Sequence, residues 1–326
     1  MNTKGLSHYR GKISILMNTR EISAGLARDR APTLYVAAKD MQRRCIRGST
    51  RILRFLRKLG YMDRPVNFHL TDTLSILVPI ARNEYDQIDL DNYEEDLFTA
   101  LGAEIQQLPN PVTLIDIGAD IGVFSLKMLA QSGPRSISLV VAFEPNSEGY
   151  PWLKFNLSRL PKGIQGQAHP IAIADFHGRG RLAAPEIRFS PGMEINHTQF
   201  FLEPSPDGPI EVTTIDAMQL SDTESVVIKI DVEGGEAAVL RGAAHTISAV
   251  PNVIVVMEAH PDVVRRTGID PVECLRFLSS LRPFQFVVSE TGSTLQTDRP
   301  IFDQISADQV YNVIARSQND REIQVR

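Results

Sequence analysis

The stretch Thr113-Leu114-Ile115-Asp116-Ile117-Gly118-Ala119-Asp120-Ile121-Gly122-Val123-Phe124-Ser125 reads as a buried strand, a glycine turn and the start of a helix. Leu114, Ile115 and Ile117 are apolar whichever way they point, as a central parallel strand covered on both faces requires. Asp116 stands near the carboxyl end of that strand, where an ionised side chain is costly unless a ligand or backbone donors meet it. Gly118 and Gly122 allow a tight turn and a close approach to the backbone. Open α/β sheets bind their ligands at the carboxyl ends of strands, so a nucleotide-like ligand is expected here.

The turn itself selects among such ligands. The dinucleotide fingerprint G-x-G-x-x-G would need glycine at 120 and 123, where the chain has Asp120 and Val123. No Gly-Lys-Ser/Thr run follows a glycine-rich loop, which excludes a P-loop. Acids at the strand end and in the turn would repel a pyrophosphate and suit a cationic, hydroxyl-rich ligand. S-adenosylmethionine, with its sulfonium, ammonium and ribose, has those properties.

Two further segments extend the pattern. Leu139-Val140-Val141-Ala142-Phe143-Glu144-Pro145-Asn146 is a second strand ending in an acid. Glu144 follows the turn at about the distance at which α/β nucleotide folds place the ribose-binding acid, and it is expected at the solvent-facing rim of the cleft. Val226-Val227-Ile228-Lys229-Ile230-Asp231-Val232-Glu233-Gly234-Gly235-Glu236 is a third strand running into acids and glycines. In order and spacing, the Asp116–Ser125 turn, the run from Phe143 to Leu157 and the run from Lys229 to Ala243 resemble those of the FkbM-type methyltransferases. The resemblance extends over roughly residues 85–315. It implies a class I methyltransferase-like, Rossmann-like fold, S-adenosylmethionine as cofactor and hydroxyl acceptors on sugars or secondary metabolites. It also implies that the last strand inserts antiparallel beside its predecessor.

Alternating patterns along the chain predict strands near 113–118, 138–144, 167–174, 226–232, 252–259, 284–289 and 309–315. They predict helices near 94–107, 122–131, 147–160, 236–248 and 270–281. The expected fold is therefore α/β, a mostly parallel seven-stranded sheet with helices on both faces. A short strand pair is expected within 66–80. The interval 175–215, rich in proline and containing Arg188, Phe189, Asn196, His197, Phe200 and Phe201, interrupts the alternation. It reads as a lid-like insertion, with a plain β-hairpin extension as the alternative.

The chain has 326 residues, 43% hydrophobic and 22% charged, with a net charge of −5. That balance conceals an asymmetry: residues 1–60 carry 14 Lys or Arg against three acids. Residues 1–80 are read as a basic, partly helical extension, and 81–326 as the cofactor-binding domain. A helix is expected over 39–59, interrupted near Gly48-Ser49, with Met41, Cys45, Ile52, Phe55, Leu56 and Leu59 as its apolar side. Such a helix either packs on the domain or a dimer mate, or lies against an anionic membrane surface. No apolar run is long enough to cross a membrane, and no secretory signal is apparent. Cys45 and Cys274 stand far apart without metal-ligand spacing, which fits a reducing cytoplasm. No nucleic-acid partner is expected.

For the cofactor, the candidates are Asp116, Gly118, Asp120 and Gly122 around the methionine end, Glu144 and Asn146 at the ribose, and Asp175 near the adenine. Asp231 is a candidate ligand of the methionine ammonium. Asp120 and Asp175 also read as ordinary turn or cap residues. On the acceptor side, Asp231 and Glu233 end one strand, and Glu258 and His260 the next. His260, Asp231 and Glu233 are the candidate catalytic residues, His260 because imidazole titrates where a general base is useful. His260 before Pro261 also reads as a hydrogen-bonded loop residue. Lys229 is expected to pair with an acid, and Glu236 to sit in the first turn of a helix. Asp231, Glu233 and Glu258 could chelate magnesium, but their spacing is unspecific and no metal is assigned. The leading function is O-methylation of a saccharide, glycolipid or secondary-metabolite hydroxyl. The alternatives are a non-catalytic cofactor-binding partner protein and a nicotinamide-dependent oxidoreductase.

Overall fold

The computed structural model describes residues 22, 27–82, 85–133, 136–183, 200–220 and 223–318. Its centre is a seven-stranded sheet. In chain order the strands are β3 (Val112–Ile117), β4 (Ile137–Phe143), β5 (Gln165–His169), β10 (Ser225–Ile230), β11 (Asn252–Ala259), β12 (Phe284–Val288) and β13 (Tyr311–Ser317). Their spatial order is β12-β13-β11-β10-β3-β4-β5. β3, β4, β5, β10 and β11 run parallel, and β13 is antiparallel to both β11 and β12, between which it is inserted. This is the class I methyltransferase-like order.

The period-two alternation of each strand sorts its side chains onto two faces. Ile115, Ile117, Val141, Val226 and Ile228 share a core with the helices α7 (Glu236–Arg241), α8 (Ala244–Ala249) and α10 (Val272–Leu281). Leu114, Val140 and Val227 face the other core, with α4 (Glu95–Ile105) and α5 (Val123–Ser132). Asp116 and Lys229, paired in register across β3 and β10, point to this second face.

The same second core takes in the N-terminal elements. These are α1 (Thr33–Arg43), α2 (Ser49–Lys58), the antiparallel pair β1 (Val66–His69) and β2 (Ser75–Val78), and α3 (Gln87–Asn92). Tyr35, Leu53, Leu56, Phe68 and Ile76 pack there with Leu114 and Phe124. Asn156, on α6 (Tyr150–Leu157), is fully buried and stitches the parts together. Its Oδ1 accepts from the Leu77 amide at 2.9 Å, and its Nδ2 donates to the Leu77 and Ile121 carbonyls at 3.1 and 2.9 Å.

Several expected elements differ. The helix expected over 39–59 begins at Thr33, stops at Arg43 and resumes at Ser49 after Gly48, whose φ is +98°. Its apolar side also divides. Leu53 and Leu56 are buried, whereas Ile52, Phe55, Leu59 and Cys45 are exposed. The strand expected over 167–174 ends at His169, because Pro170 has no N–H to continue the ladder. Ala172–Ile173 (β6) instead joins a second sheet of order β6-β9-β7-β8, with β7 (Gly178–Ala183), β8 (Phe201–Pro204) and β9 (Ile210–Thr213). The insertion thus forms a sheet of its own, not an extension of the central one; Arg188, Phe189, Asn196 and His197 lie outside the described residues. The helix expected over 236–248 is two pieces, and α9 (Pro261–Thr267) was not anticipated. Among the described residues no helix is long and apolar enough to cross a membrane.

Candidate active site

A cavity of about 730 Å³ opens at the carboxyl ends of β3, β4, β10 and β11, the position at which open α/β sheets bind ligands. The small sheet walls one side with Leu202 and Pro204, next to Phe200 just before β8, and Tyr85 and Tyr93 stand in the lining as well.

Gly118 sets the turn. Its φ is +81°, and a Cβ there would lie 1.8 Å from the Asp231 carbonyl oxygen, so only glycine lets β3 and β10 approach this closely. Asp120 also has a left-handed backbone, φ +47°, and its Oδ1 accepts from Arg82 Nη1 at 2.7 Å. Glu144 accepts from the Asp120 amide through Oε2 and from the Asn146 amide through Oε1, both at 2.7 Å. Asn146 Oδ1 accepts from the Glu148 amide at 3.0 Å. Gly118, Asp120, Glu144, Asn146 and Asp175 all line the cavity.

Three expectations need correction. Asp116 is fully buried beneath the turn and does not line the cavity; its Oδ2 accepts from Ser125 Oγ at 2.6 Å. Burial pushes its carboxyl up, Lys229 and the Ser125 bond opposing. Gly122 also stays out of the lining and serves as the left-handed N-cap of α5, φ +91°. Glu144 is 7% exposed and not on the outer rim. Burial, then the Asp120 charge, raises its carboxyl to about 7 against the two backbone bonds. Asp175, at the exposed edge, pairs with Arg241 at 2.7 Å.

The four residues expected on the acceptor side do meet. Asp231, Glu233, Glu258 and His260 line one wall of the cavity. Lys229 donates to Asp231 Oδ2 at 2.7 Å, with its ammonium 5.5 Å from the centre of the Phe124 ring. Burial works against the Lys229 charge, but Asp231, Asp116, Glu94 and Glu258 outweigh it and raise its pKa. Glu233 has a left-handed backbone, φ +56°, and burial raises its carboxyl to about 7. The charge of Asp231, then burial, pushes Glu258 well above the usual carboxylate range. His260 caps α9: its Nδ1 accepts from the Asp262 amide at 3.1 Å. A neutral imidazole accepting at Nδ1 carries its proton on Nε2, which is then a donor. Burial also lowers the His260 pKa. Glu236 takes the place expected of it in the first turn of α7, where Oε1 accepts from the Gly234 amide at 3.0 Å.

The structure adds residues that the sequence did not single out. Glu94 precedes α4 with φ +46° and lines the cavity. Its Oε2 is buried without a hydrogen-bond partner among the described residues. Burial raises its carboxyl to about 7, Lys229 opposing and Asp231 and Glu290 adding. Asn312 of β13 donates to Glu290 through its amide nitrogen at 2.9 Å and its Nδ2 at 3.1 Å, and both residues line the cavity. In the sequence, Glu94-Glu95-Asp96 looks like acids favouring a helix start, and nothing there marks the one that turns inward.

The wall therefore gathers Glu94, Asp231, Glu233 and Glu258 around the single ammonium of Lys229. Among the described residues no three acids, histidines or cysteines are grouped to hold a metal ion. An excess of carboxyls with raised proton affinity, one with an unpartnered oxygen, suits a cationic ligand. Glu144 lines the same cavity and adds hydroxyl-accepting oxygens.

Residues 116–282, just over half the chain, match the methyltransferase FkbM domain. The chain belongs to the FkbM methyltransferase family. As a methyltransferase it takes S-adenosylmethionine as its cofactor, which the acidic wall and Glu144 fit. The hexuronic acid methyltransferase AglP of Haloferax volcanii is 27% identical over 194 residues, which are 58% of this chain and 69% of that protein. The crystal structure of the methyltransferase FkbM from Methylobacillus flagellatus is 17% identical with a TM-score of 0.40, covering 64% of this chain and 47% of that one. The chain thus spans about half the length of that protein. The M. jannaschii TYW2 structure in complex with AdoMet is 11% identical with a TM-score of 0.36, covering 78% of this chain and 84% of that one.

Proposed function

We propose that this methyltransferase is O-directed and that its acceptor is a hydroxyl of a saccharide. The observation that carries the reading is the set of raised carboxyls, Glu94, Glu233 and Glu258, on the wall of the cofactor cavity. A hydroxyl acceptor must give up a proton, and the most useful base is one whose pKa lies near the working pH. The relative named for hexuronic acid methylation supports a sugar acceptor.

When bound, the cofactor supplies an electrophilic methyl on a sulfonium leaving group. Glu144 and Asn146 would hold the ribose, and Asp120 and the Gly118 backbone the methionine end. Asp175 would stand by the adenine, and the Asp231 oxygen not held by Lys229 would take the ammonium. Glu233 is assigned as the base that takes the proton of the acceptor hydroxyl. His260, with its proton on Nε2, would orient the acceptor by donating to it. The walls of the cavity keep water from the transfer.

The test is a turnover assay with labelled S-adenosylmethionine and a panel of saccharides, glycolipids and hydroxylated secondary metabolites, with products mapped by mass spectrometry. Glu233→Gln should cut kcat by about 10²–10⁴ with cofactor affinity nearly unchanged, and should abolish the rise in rate through about pH 7. A product methylated on nitrogen or carbon would refute the O-directed reading. Full activity in Glu233→Gln with loss in His260→Ala would return the base to the histidine.

A further inference from the structure

We propose that the outer face of α2 is a membrane-docking surface that seats the enzyme on a bilayer rich in anionic headgroups. The proposal is independent of which acceptor is methylated.

Residues 41–60 hold seven Arg or Lys and no acid. On α2 the buried side is Ser49, Leu53 and Leu56. At 100° per residue, Ile52, Phe55 and Leu59 form a stripe beside it, and Arg51, Arg54 and Lys58 form the next one round the helix. Among the described residues nothing covers the apolar stripe: Ile52 is 37% exposed, Phe55 59% and Leu59 55%. The three basic residues are exposed as well. A soluble helix that packs through one face ordinarily turns polar residues outward. Here the outward side holds large apolar groups in line, next to a line of cations.

Charge and apolarity together select the occupant. A second copy docking symmetrically on this face would set cation against cation. A soluble polyanion would satisfy Arg51 and Lys58 and leave Phe55 in water. A bilayer surface meets both demands, with Ile52, Phe55 and Leu59 entering the acyl boundary and the cations at the level of the phosphates. Arg and Lys stems reach such a level readily.

The surface is also coupled to the site. Arg57, on the inward side of α2, donates to the Ala81 carbonyl, and Tyr35 of α1 donates to the Tyr85 carbonyl at 3.0 Å. Arg82 grips Asp120, and Tyr85 lines the cavity. A docked α2 would therefore touch, through these contacts, the segment that carries Arg82 and Tyr85.

The test is co-sedimentation of the full chain with phosphatidylcholine vesicles, with and without phosphatidylglycerol. Binding only to the anionic vesicles is expected. Phe55→Ser should lower the partition coefficient about tenfold. Arg51→Glu and Lys58→Glu should each lower it by about fivefold or more. All three variants should keep wild-type cofactor affinity, which shows that they are folded. Failure of the wild type to bind anionic vesicles would overturn the proposal, as would unchanged binding by Phe55→Ser. Gel filtration showing a dimer that Phe55→Ser dissolves would assign the face to a second copy and overturn it too.

Discussion

Arg82 Nη1 lies 2.7 Å from Asp120 Oδ1, so a residue just past the N-terminal hairpin fixes the acid of the glycine turn after β3. The two side chains are 6% and 19% exposed, and Asp120 holds a left-handed backbone while it makes this contact. The family-matched segment begins after Arg82, so the turn depends on a cation from outside it.

Replacing Arg82 with Met keeps most of its volume and removes the cation. The Asp120 carboxylate would be left largely enclosed, with Glu144 as a neighbouring acid. A loss of about 3 kcal/mol in unfolding free energy is expected, the range for breaking a buried pair from one side. Cofactor affinity should fall with it. Urea unfolding with calorimetry checks both, and a variant unchanged in either would show that the pair does not hold the turn.

Glu144→Gln tests the ribose ligand without emptying its place. The glutamine can still accept from one of the two amides that Glu144 serves, at Asp120 or Asn146. Cofactor binding should weaken by about 1.5–3 kcal/mol, as for a hydrogen bond to a charged group. Glu144→Ala would strand both amides and mix a stability loss into the reading. Unaltered affinity in a folded Glu144→Gln would remove the residue from the ribose site.

The acidic wall makes binding and stability respond to pH in opposite senses. Glu94 and Glu233 are each raised from the ordinary carboxylate range to about 7, and Glu258 is also raised well above that range. A carboxyl whose folded pKa exceeds its unfolded one adds stability below the unfolded value and loses it as pH climbs through the folded value. The cofactor-free protein should therefore melt at lower temperature as pH rises from about 5 towards 8, as far as these groups govern it. A cationic ligand prefers the ionised wall, so its affinity should increase across the same interval, with protons released on binding. Titration calorimetry in two buffers of different ionisation enthalpy measures that release. A cofactor affinity flat between pH 6 and 8 would show that the wall does not face the cationic end.

The parts legible in the sequence are those written locally. The β3 turn, Glu144 after β4 and Asp231-Val232-Glu233 after β10 each carry strand, acid and glycine within a few residues, and the structure brings their ends together. What was not legible depends on distant contacts. Asp116 has the same local signature as a ligand acid, yet Ser125, in the first turn of α5, holds it under the turn. Glu94 is distinguished from Glu95 only by its left-handed backbone. The wall formed by Glu290 and Asn312 exists because β13 folds back between β11 and β12. The break after Arg241 follows from packing, since a Cβ on Gly242 would lie 2.0 Å from the Ala174 carbonyl oxygen.

Asn156 gives the architecture a further consequence. Its one amide group serves the backbone of Leu77 and of Ile121, so the hairpin and the cofactor turn share a fastening deep inside the protein. The family-matched segment is for that reason no portable cassette. Excised at residue 116, it would keep Asn156 and lose Leu77, exposing a polar socket shaped for a strand no longer there. Swapping N-terminal pieces between such enzymes would succeed only where the incoming piece presents a strand edge to that socket, whatever the similarity of the segments that carry the chemistry.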